Sequence, residues 1–144
     1  MELIQEMRSR GLEPDVITYN SAITTCSFSR QWEKALQLWY QMESEGKVVP
    51  DVITYNSVIR SVSTSRRWQI ALDLLAQMKQ KGLKPDVITY NSTISVCGAA
   101  QQWRLVFHLL EEMKTNGVQP DVITYNSAIK ACGDSRQYDL VQER

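Results

Sequence analysis

The chain has 144 residues, of which 43% are hydrophobic, and its 16 acidic and 16 basic side chains give a formal net charge of zero. This hydrophobic content is typical of a folded protein and argues against a disordered chain. The neutral charge is unusual for a protein that binds nucleic acid. No apolar run approaches the roughly 18 residues of a membrane span, and MELIQEMRSR mixes acids with bases. We therefore predict no membrane partner, no signal peptide and no transit peptide in this chain.

Cysteine and histidine usage limits the chemistry that the chain can perform. Cys26, Cys97 and Cys132 are odd in number and lack CxxC spacing, which argues against a disulfide framework and against a zinc site. His108 is the only histidine. With no metal cluster, no nucleophile beside a base and no phosphate loop, we predict no catalytic residue, no metal, no cofactor and no enzymatic activity.

The stretch PDVITYNS occurs four times without change, at residues 14–21, 50–57, 85–92 and 120–127. Successive copies are 36, 35 and 35 residues apart, a period typical of helical repeat proteins. This period divides the chain into units. They are a truncated repeat at 1–15, complete repeats at 16–51, 52–86 and 87–121, and a truncated repeat at 122–144.

The first element of each unit begins with VITY, whose β-branched and aromatic residues also suit a strand. The continuation favours a helix, because Tyr19, Ile23 and Cys26 follow an i, i+4, i+7 spacing. Asp15 stands at the N-cap position, with the backbone N–H of Thr18 three residues on. The same pattern recurs in the later units. We predict that VITY opens a helix and that the cysteine is a buried core residue.

A second helix follows in each unit. Trp32, Ala35, Leu36 and Trp39 form an apolar stripe at helical spacing, and Gly46 suits the position just past the helix end. Two helices per unit, repeated along the chain, predict an all-α fold in which helix pairs stack into a solenoid.

The first helix carries a second face, formed in the first unit by Ile17, Asn20 and Thr24, about 120° from its core face. An isoleucine beside an asparagine, once per unit, suits a flat ligand with a polar edge, such as a nucleotide base. The motif also has a purely structural explanation, in which proline and aspartate begin the helix while tyrosine and isoleucine fill the core. That explanation does not account for the asparagine.

The 35-residue period, VITYNS at the start of the first helix and the EM…G…PD ending of the second resemble P-type pentatricopeptide repeat proteins along the whole chain. The resemblance implies a right-handed superhelical solenoid of antiparallel helix pairs. It also implies a single-stranded RNA-binding module that reads one base per repeat with the fifth and last residues of the unit. The implied base-reading pairs are Asn20 with Asp51, Asn56 with Asp86, and Asn91 with Asp121, while Asn126 lacks a partner in this chain. The implied base-stacking residues are Ile17, Ile53, Ile88 and Ile123.

An asparagine–aspartate pair in this family implies a pyrimidine, preferably uridine, so the expected partner is U-rich or pyrimidine-rich RNA. Many family members carry a lysine at the thirteenth position, where this chain has Phe28, Thr64, Ala99 and Asp134. We take Arg60 and Lys130 as candidate phosphate contacts instead and expect modest affinity. The resemblance further implies a mitochondrial or chloroplast role in RNA processing, stability, splicing or editing.

Two alternatives stay open at this point. A helical-repeat scaffold can also hold a peptide in its groove, and net neutrality favours that reading. The chain can instead self-associate end to end, since we expect its truncated end helices to expose apolar side chains. These are Leu3, Ile4 and Met7 at one end and Tyr138, Leu140 and Val141 at the other.

Overall fold

The computed structural model describes residues 2–134, and this part of the chain is helical with no strand. Each complete unit contributes two helices joined by a short turn, which confirms the predicted all-α repeat fold. The helices are α1 Glu2–Ser9, α2 Val16–Phe28, α3 Trp32–Glu45, α4 Val52–Ser63, α5 Trp68–Gln80, α6 Val87–Ala99, α7 Trp103–Thr115 and α8 Val122–Asp134.

The repeated VITY stretch begins a helix in all four copies, as predicted. Asp15 has extended backbone geometry, and its side chain accepts a hydrogen bond from the Thr18 N–H at 2.9 Å. The Thr18 hydroxyl in turn accepts from the Asp15 N–H at 3.3 Å. Such a reciprocal capping box satisfies two backbone donors that a helix start leaves unpaired. Local capping and burial of the tyrosine thus outweigh the strand propensity of VITY.

The helices form two layers. The first helices of the units, α2, α4, α6 and α8, pack side by side in one layer. The second helices, α3, α5 and α7, form the other layer, and each contacts the first helix of its own unit and of the next. Tyr19, near the start of α2, reaches Glu45 at the end of α3 with an O···O distance of 3.3 Å, so the two helices run antiparallel.

The core lies between the layers and repeats with the units. Tyr19 and Ile23 are fully buried, and the equivalent residues of the next two units are buried as well. In the second helices, Leu38 is buried while Leu36 is only half-buried, so the apolar stripe faces slightly differently from the prediction. In α8, Tyr125 is 43% exposed, since no following helix in the described residues covers it.

The layer of first helices includes one close approach. A Cβ placed on Gly98 of α6 would lie 2.9 Å from the Cβ of Ala131 in α8. Gly46, at the end of α3, has a φ of 66°, in the left-handed region that glycine favours, as the sequence predicted.

The N-terminal end of the solenoid differs from the prediction. Leu3 is 79% exposed as expected, but Ile4 is buried and Met7 is half-buried, because α1 turns these side chains toward α2. The prediction that Ile4 is exposed was therefore wrong, whereas Met7 keeps part of its surface in solvent. Tyr138, Leu140 and Val141 lie outside the described residues.

None of the helices between residues 2 and 134 is long and apolar enough to cross a membrane.

Candidate nucleic-acid interface

The layer of first helices exposes a row of isoleucines. The second residue of each repeat is a large apolar side chain left in solvent, although the residue two positions on along the same helix is fully buried in the three complete units. Solvent-exposed isoleucine contributes little to folding, so its regular recurrence marks a surface available to a ligand. The exposed fractions are 70% for Ile17, 60% for Ile53, 45% for Ile88 and 61% for Ile123.

Each asparagine that follows an exposed isoleucine in a complete unit is paired with an aspartate. Asn20 Nδ2 donates to Asp51 Oδ1 at 3.1 Å. The same bond joins Asn56 to Asp86 at 3.1 Å and Asn91 to Asp121 at 3.0 Å. The structure thus brings together all three pairs that the family resemblance implied. Asn126, on α8, is exposed.

The oxygen of each paired amide is engaged as well. The Thr54 hydroxyl donates to Asn20 Oδ1, and the Thr89 and Thr124 hydroxyls donate to the equivalent oxygens of Asn56 and Asn91. The threonine always belongs to the unit after the asparagine. We did not anticipate these contacts, although the signal was present: a threonine follows the capping aspartate by three residues in every copy of the motif.

Two of the paired aspartates, Asp51 and Asp121, are held in their charged form. Burial by itself raises the pKa of Asp51, but the hydrogen bonds from the Thr54 N–H and from Asn20 outweigh it and bring the pKa below the ordinary 3.8. The hydrogen bond from the Thr124 N–H, followed by that from Asn91, lowers the pKa of Asp121. A charged carboxylate accepts hydrogen bonds only, so each aspartate directs the amide nitrogen toward itself.

Cavities open beside the amides, between isoleucines of successive units. One is lined by Ile17 and Ile53 with Asn20 and Thr24 between them. An equivalent cavity has Ile88 and Ile123 on either side of Asn91. An apolar wall on each side and a polar floor suit a flat ring with hydrogen-bonding atoms on its edge.

Cationic side chains lie along the same surface. Arg60 lines the cavity that contains Asn91, together with Ser92 and Ser95. Lys130 lines another cavity together with Arg66. Both candidate phosphate contacts thus reach the groove, and Arg66 joins them. Phe28, at the position where many family members have lysine, is 77% exposed.

Between residues 2 and 134, no three His, Cys, Asp or Glu side chains are grouped as metal ligands would be. Cys26 and Cys97 are buried, and burial raises the pKa of both thiols, that of Cys97 to about 12. His108 is 73% exposed. The buried cysteines are therefore unreactive core residues, as predicted, while the side chain of Cys132 lies outside the described residues.

Comparison with known families and structures agrees with this architecture. The family model of the pentatricopeptide repeat domain matches residues 2–66, 47–100 and 73–135. The crystal structure of the pentatricopeptide repeat protein PPR10 from maize is similar, with a TM-score of 0.86 at 26% identity, over 96% of this chain and 20% of that chain. The complex of PPR10 with an 18-nt psaJ RNA element gives a TM-score of 0.80 at 26% identity over the same shares.

A third similar structure is the PPR domain of Arabidopsis thaliana protein-only RNase P 1 in complex with tRNA. Its TM-score is 0.85 at 21% identity, over 99% of this chain and 75% of that chain, which shows a common fold alone. The chain spans about one fifth of PPR10. Comparison with curated protein sequences gives no significant match.

Proposed function

The chain belongs to the pentatricopeptide repeat family, and from that premise we propose that its layer of first helices binds single-stranded RNA, one base per complete repeat, with a preference for pyrimidines and above all uridine. The observation that carries this proposal is the asparagine–aspartate pair, which recurs with the same geometry in three consecutive units beside exposed isoleucines. The RNA-bound structure of the similar PPR10 supports RNA as the ligand class.

The amide of each pair offers a base one donor and one acceptor. Asn20 Nδ2 has two hydrogens, and one is directed to Asp51. Its Oδ1 has two lone pairs, and one accepts from Thr54. The remaining N–H and lone pair match a ring edge on which a donor and an acceptor are neighbours. Uracil has such an edge in O4 and N3–H, and the preference for uracil over cytosine rests on the family resemblance.

The isoleucines supply the contact with the faces of the base. A ring placed over Asn20 would lie between Ile17 of its own unit and Ile53 of the next. Stacking of a base on an aromatic side chain contributes about 1–3 kcal/mol, and contact with an aliphatic isoleucine contributes less than an aromatic stack. Three complete units, less the free energy of association, support micromolar affinity or weaker.

The RNA backbone would follow the cations of the groove. Arg60, Arg66 and Lys130 line neighbouring cavities beside the bases' sites. Three neutralised phosphates of a single strand give a slope of about −2 in log K against log salt concentration. This modest salt dependence agrees with the zero net charge of the chain.

The biological setting follows from the family alone. We propose a mitochondrial or chloroplast role in the processing, stability, splicing or editing of a transcript.

The protein-interaction scaffold stays as the second candidate, because zero net charge is ordinary for a peptide-binding solenoid and unusual for an RNA-binding one.

The proposal is tested by fluorescence anisotropy with labelled U-rich, A-rich and G-rich oligonucleotides. We expect the tightest binding to the U-rich strand, and we expect the variant Asn20→Ala/Asn56→Ala/Asn91→Ala to lose that preference. Gln41→Ala/Gln77→Ala removes amides from the second-helix layer and serves as the control that retains it. Equal or absent binding to all three strands by the unmodified chain would overturn the proposal and favour the peptide scaffold.

A further inference from the structure

Three threonines of the repeated motif are fully buried yet lie at the groove. Thr54, Thr89 and Thr124 each have no exposed surface, and each hydroxyl reaches the amide oxygen of the preceding unit's asparagine. A buried hydroxyl needs a hydrogen-bond partner, and the helix start already provides one in the capping aspartate. The contact with the asparagine is therefore additional to capping.

The Thr54 hydroxyl has one proton, and its geometry indicates that this proton is donated to the asparagine rather than to the aspartate. Thr54 Oγ1 lies 2.5 Å from Asn20 Oδ1 and 3.0 Å from Asp51 Oδ1, and it also accepts from the Asp51 N–H at 3.1 Å. Asp51 Oδ1 already accepts from the Thr54 N–H and from Asn20 Nδ2. The nearer and less occupied acceptor is the amide oxygen, so the hydroxyl proton points to Asn20.

Two hydrogen bonds at opposite ends fix the plane of an amide. The terminal torsion of asparagine is broad and roughly two-fold, so one bond at the nitrogen leaves the group free to rotate about that contact. The second bond, from the threonine, holds the oxygen as well. The unused N–H and lone pair then point in a set direction, which is what recognition of a particular ring edge requires.

We propose that Thr54, Thr89 and Thr124 are positioning residues that orient the base-reading asparagines of the preceding repeats. This inference rests on the proposed function for its effect on base preference, while the orientation itself does not depend on RNA. It means that the site for one base is completed by the repeat that follows. The base selectivity of one repeat thus depends on the threonine of the next repeat as well as on its own residues.

Thr18 provides a matched control within the chain. Its hydroxyl makes the same capping bonds to Asp15, but the sequence before it contains no asparagine. Within residues 2–134, this hydroxyl forms hydrogen bonds with Asp15 alone. Thr18→Val therefore removes a capping hydroxyl without removing a contact to a reading amide.

The first experiment compares U-rich with A-rich binding for Thr54→Val/Thr89→Val/Thr124→Val, for the corresponding Thr→Ser triple variant and for Thr18→Val. We expect the valine variant to lose about tenfold in discrimination, the serine variant to retain it because the hydroxyl remains, and Thr18→Val to match the unmodified chain. A folded valine variant, judged by circular dichroism, with undiminished discrimination would overturn the inference.

The second experiment needs no RNA and only one substitution. Nitrogen-15 relaxation of the Asn20 side-chain amide is measured in the unmodified chain, in Thr54→Val and in Thr18→Val. We expect the order parameter of the Asn20 amide to fall in Thr54→Val and to stay unchanged in Thr18→Val. An unchanged value in both variants would contradict the inference. If the order parameter falls but no strand is preferred, the positioning stands and the proposed base reading fails.

Discussion

Asn20 on α2 donates a hydrogen bond of 3.1 Å to Asp51, which caps the start of α4. The carboxylate also accepts from the Thr54 N–H at 3.0 Å. One aspartate thus begins the helix of the next repeat and holds the amide of the previous one. The two roles that the sequence suggested for this residue are compatible in space, and they can be separated by substitution.

Replacing the carboxylates by amides separates capping from pairing. Asparagine caps helices about as well as aspartate, so Asp51→Asn/Asp86→Asn/Asp121→Asn should still fold. Each substituted residue keeps an acceptor oxygen but loses its charge, so the hydrogen bond to the reading amide becomes weaker. We expect the affinity for U-rich RNA to fall at least about tenfold in anisotropy titrations.

Asp15→Asn is the control for that experiment, because Asp15 caps α2 without an asparagine before it in the sequence. It should leave RNA affinity unchanged. Equal affinities of the triple variant and the unmodified chain would show that the carboxylates act only as caps.

The exposed isoleucines should matter for binding and hardly at all for folding. Ile53 is 60% exposed, so Ile53→Ala should change the free energy of unfolding by no more than about 0.5 kcal/mol while weakening RNA binding. Ile59, on the same helix, is fully buried, and Ile59→Ala should cost about 2–5 kcal/mol of stability. Urea unfolding together with anisotropy measures both quantities. Unchanged RNA binding by Ile53→Ala would show that Ile53 does not contribute to the binding of the base.

The capping aspartates should make stability fall in acid. The pKa values of Asp51 and Asp121 are below 3.8 in the folded chain. A depressed folded pKa gives stability that is fully present above the unfolded value and is lost as the pH falls through the folded one. Urea unfolding between pH 6 and pH 2 should therefore show a decline below about pH 4. That decline should be smaller in Asp51→Asn/Asp121→Asn, and parallel curves for the two proteins would contradict this account.

The contact between α6 and α8 leaves no room for a side chain at Gly98. Overpacking against Ala131 should cost about 1–3 kcal/mol, offset in part by the helix propensity of alanine, about 1 kcal/mol better than glycine. We expect Gly98→Ala to lower the midpoint of thermal unfolding, and Ala131→Gly to restore part of it in the double variant.

Gly82→Ala gives the comparison for the Gly98 experiment. Gly82 has a φ of 79° and open space around its Cβ position, so the substitution should cost about 1 kcal/mol through the backbone alone. Ala131→Gly should not rescue it. A Gly98→Ala variant as stable as the unmodified chain would indicate that the two helices separate easily.

Much of the fold could be predicted because its information is local and repeated. The i, i+4, i+7 spacing from Tyr19 to Cys26 distinguished helix from strand, and four copies of the same capping aspartate marked the helix starts. The register of the second helix was less certain, since Leu36 and Leu38 are both apolar but lie about 160° apart around the helix axis. Packing between layers, which the sequence does not display, selected Leu38.

The residues of the site could be predicted from the sequence, but not all of the hydrogen bonds between them. The asparagine and aspartate were recognised from their positions within the repeat, but the threonine was assigned only to the helix start. Its hydroxyl contacts an asparagine 34 residues earlier in the case of Thr54 and Asn20, and such a contact depends on how closely neighbouring units stack. The burial of Ile4 was missed for the same reason, because it depends on tertiary packing of this side chain against the core.

Exchange of the reading amides tests the central claim most directly. The family resemblance implies that threonine at the fifth position of these repeats, combined with aspartate at the last, shifts the preference toward guanine. We predict that Asn20→Thr/Asn56→Thr/Asn91→Thr, folded as judged by circular dichroism, shifts from U-rich toward G-rich strands in a competition titration. A folded triple variant that keeps the uridine preference of the unmodified chain would contradict the assignment of these asparagines to base recognition.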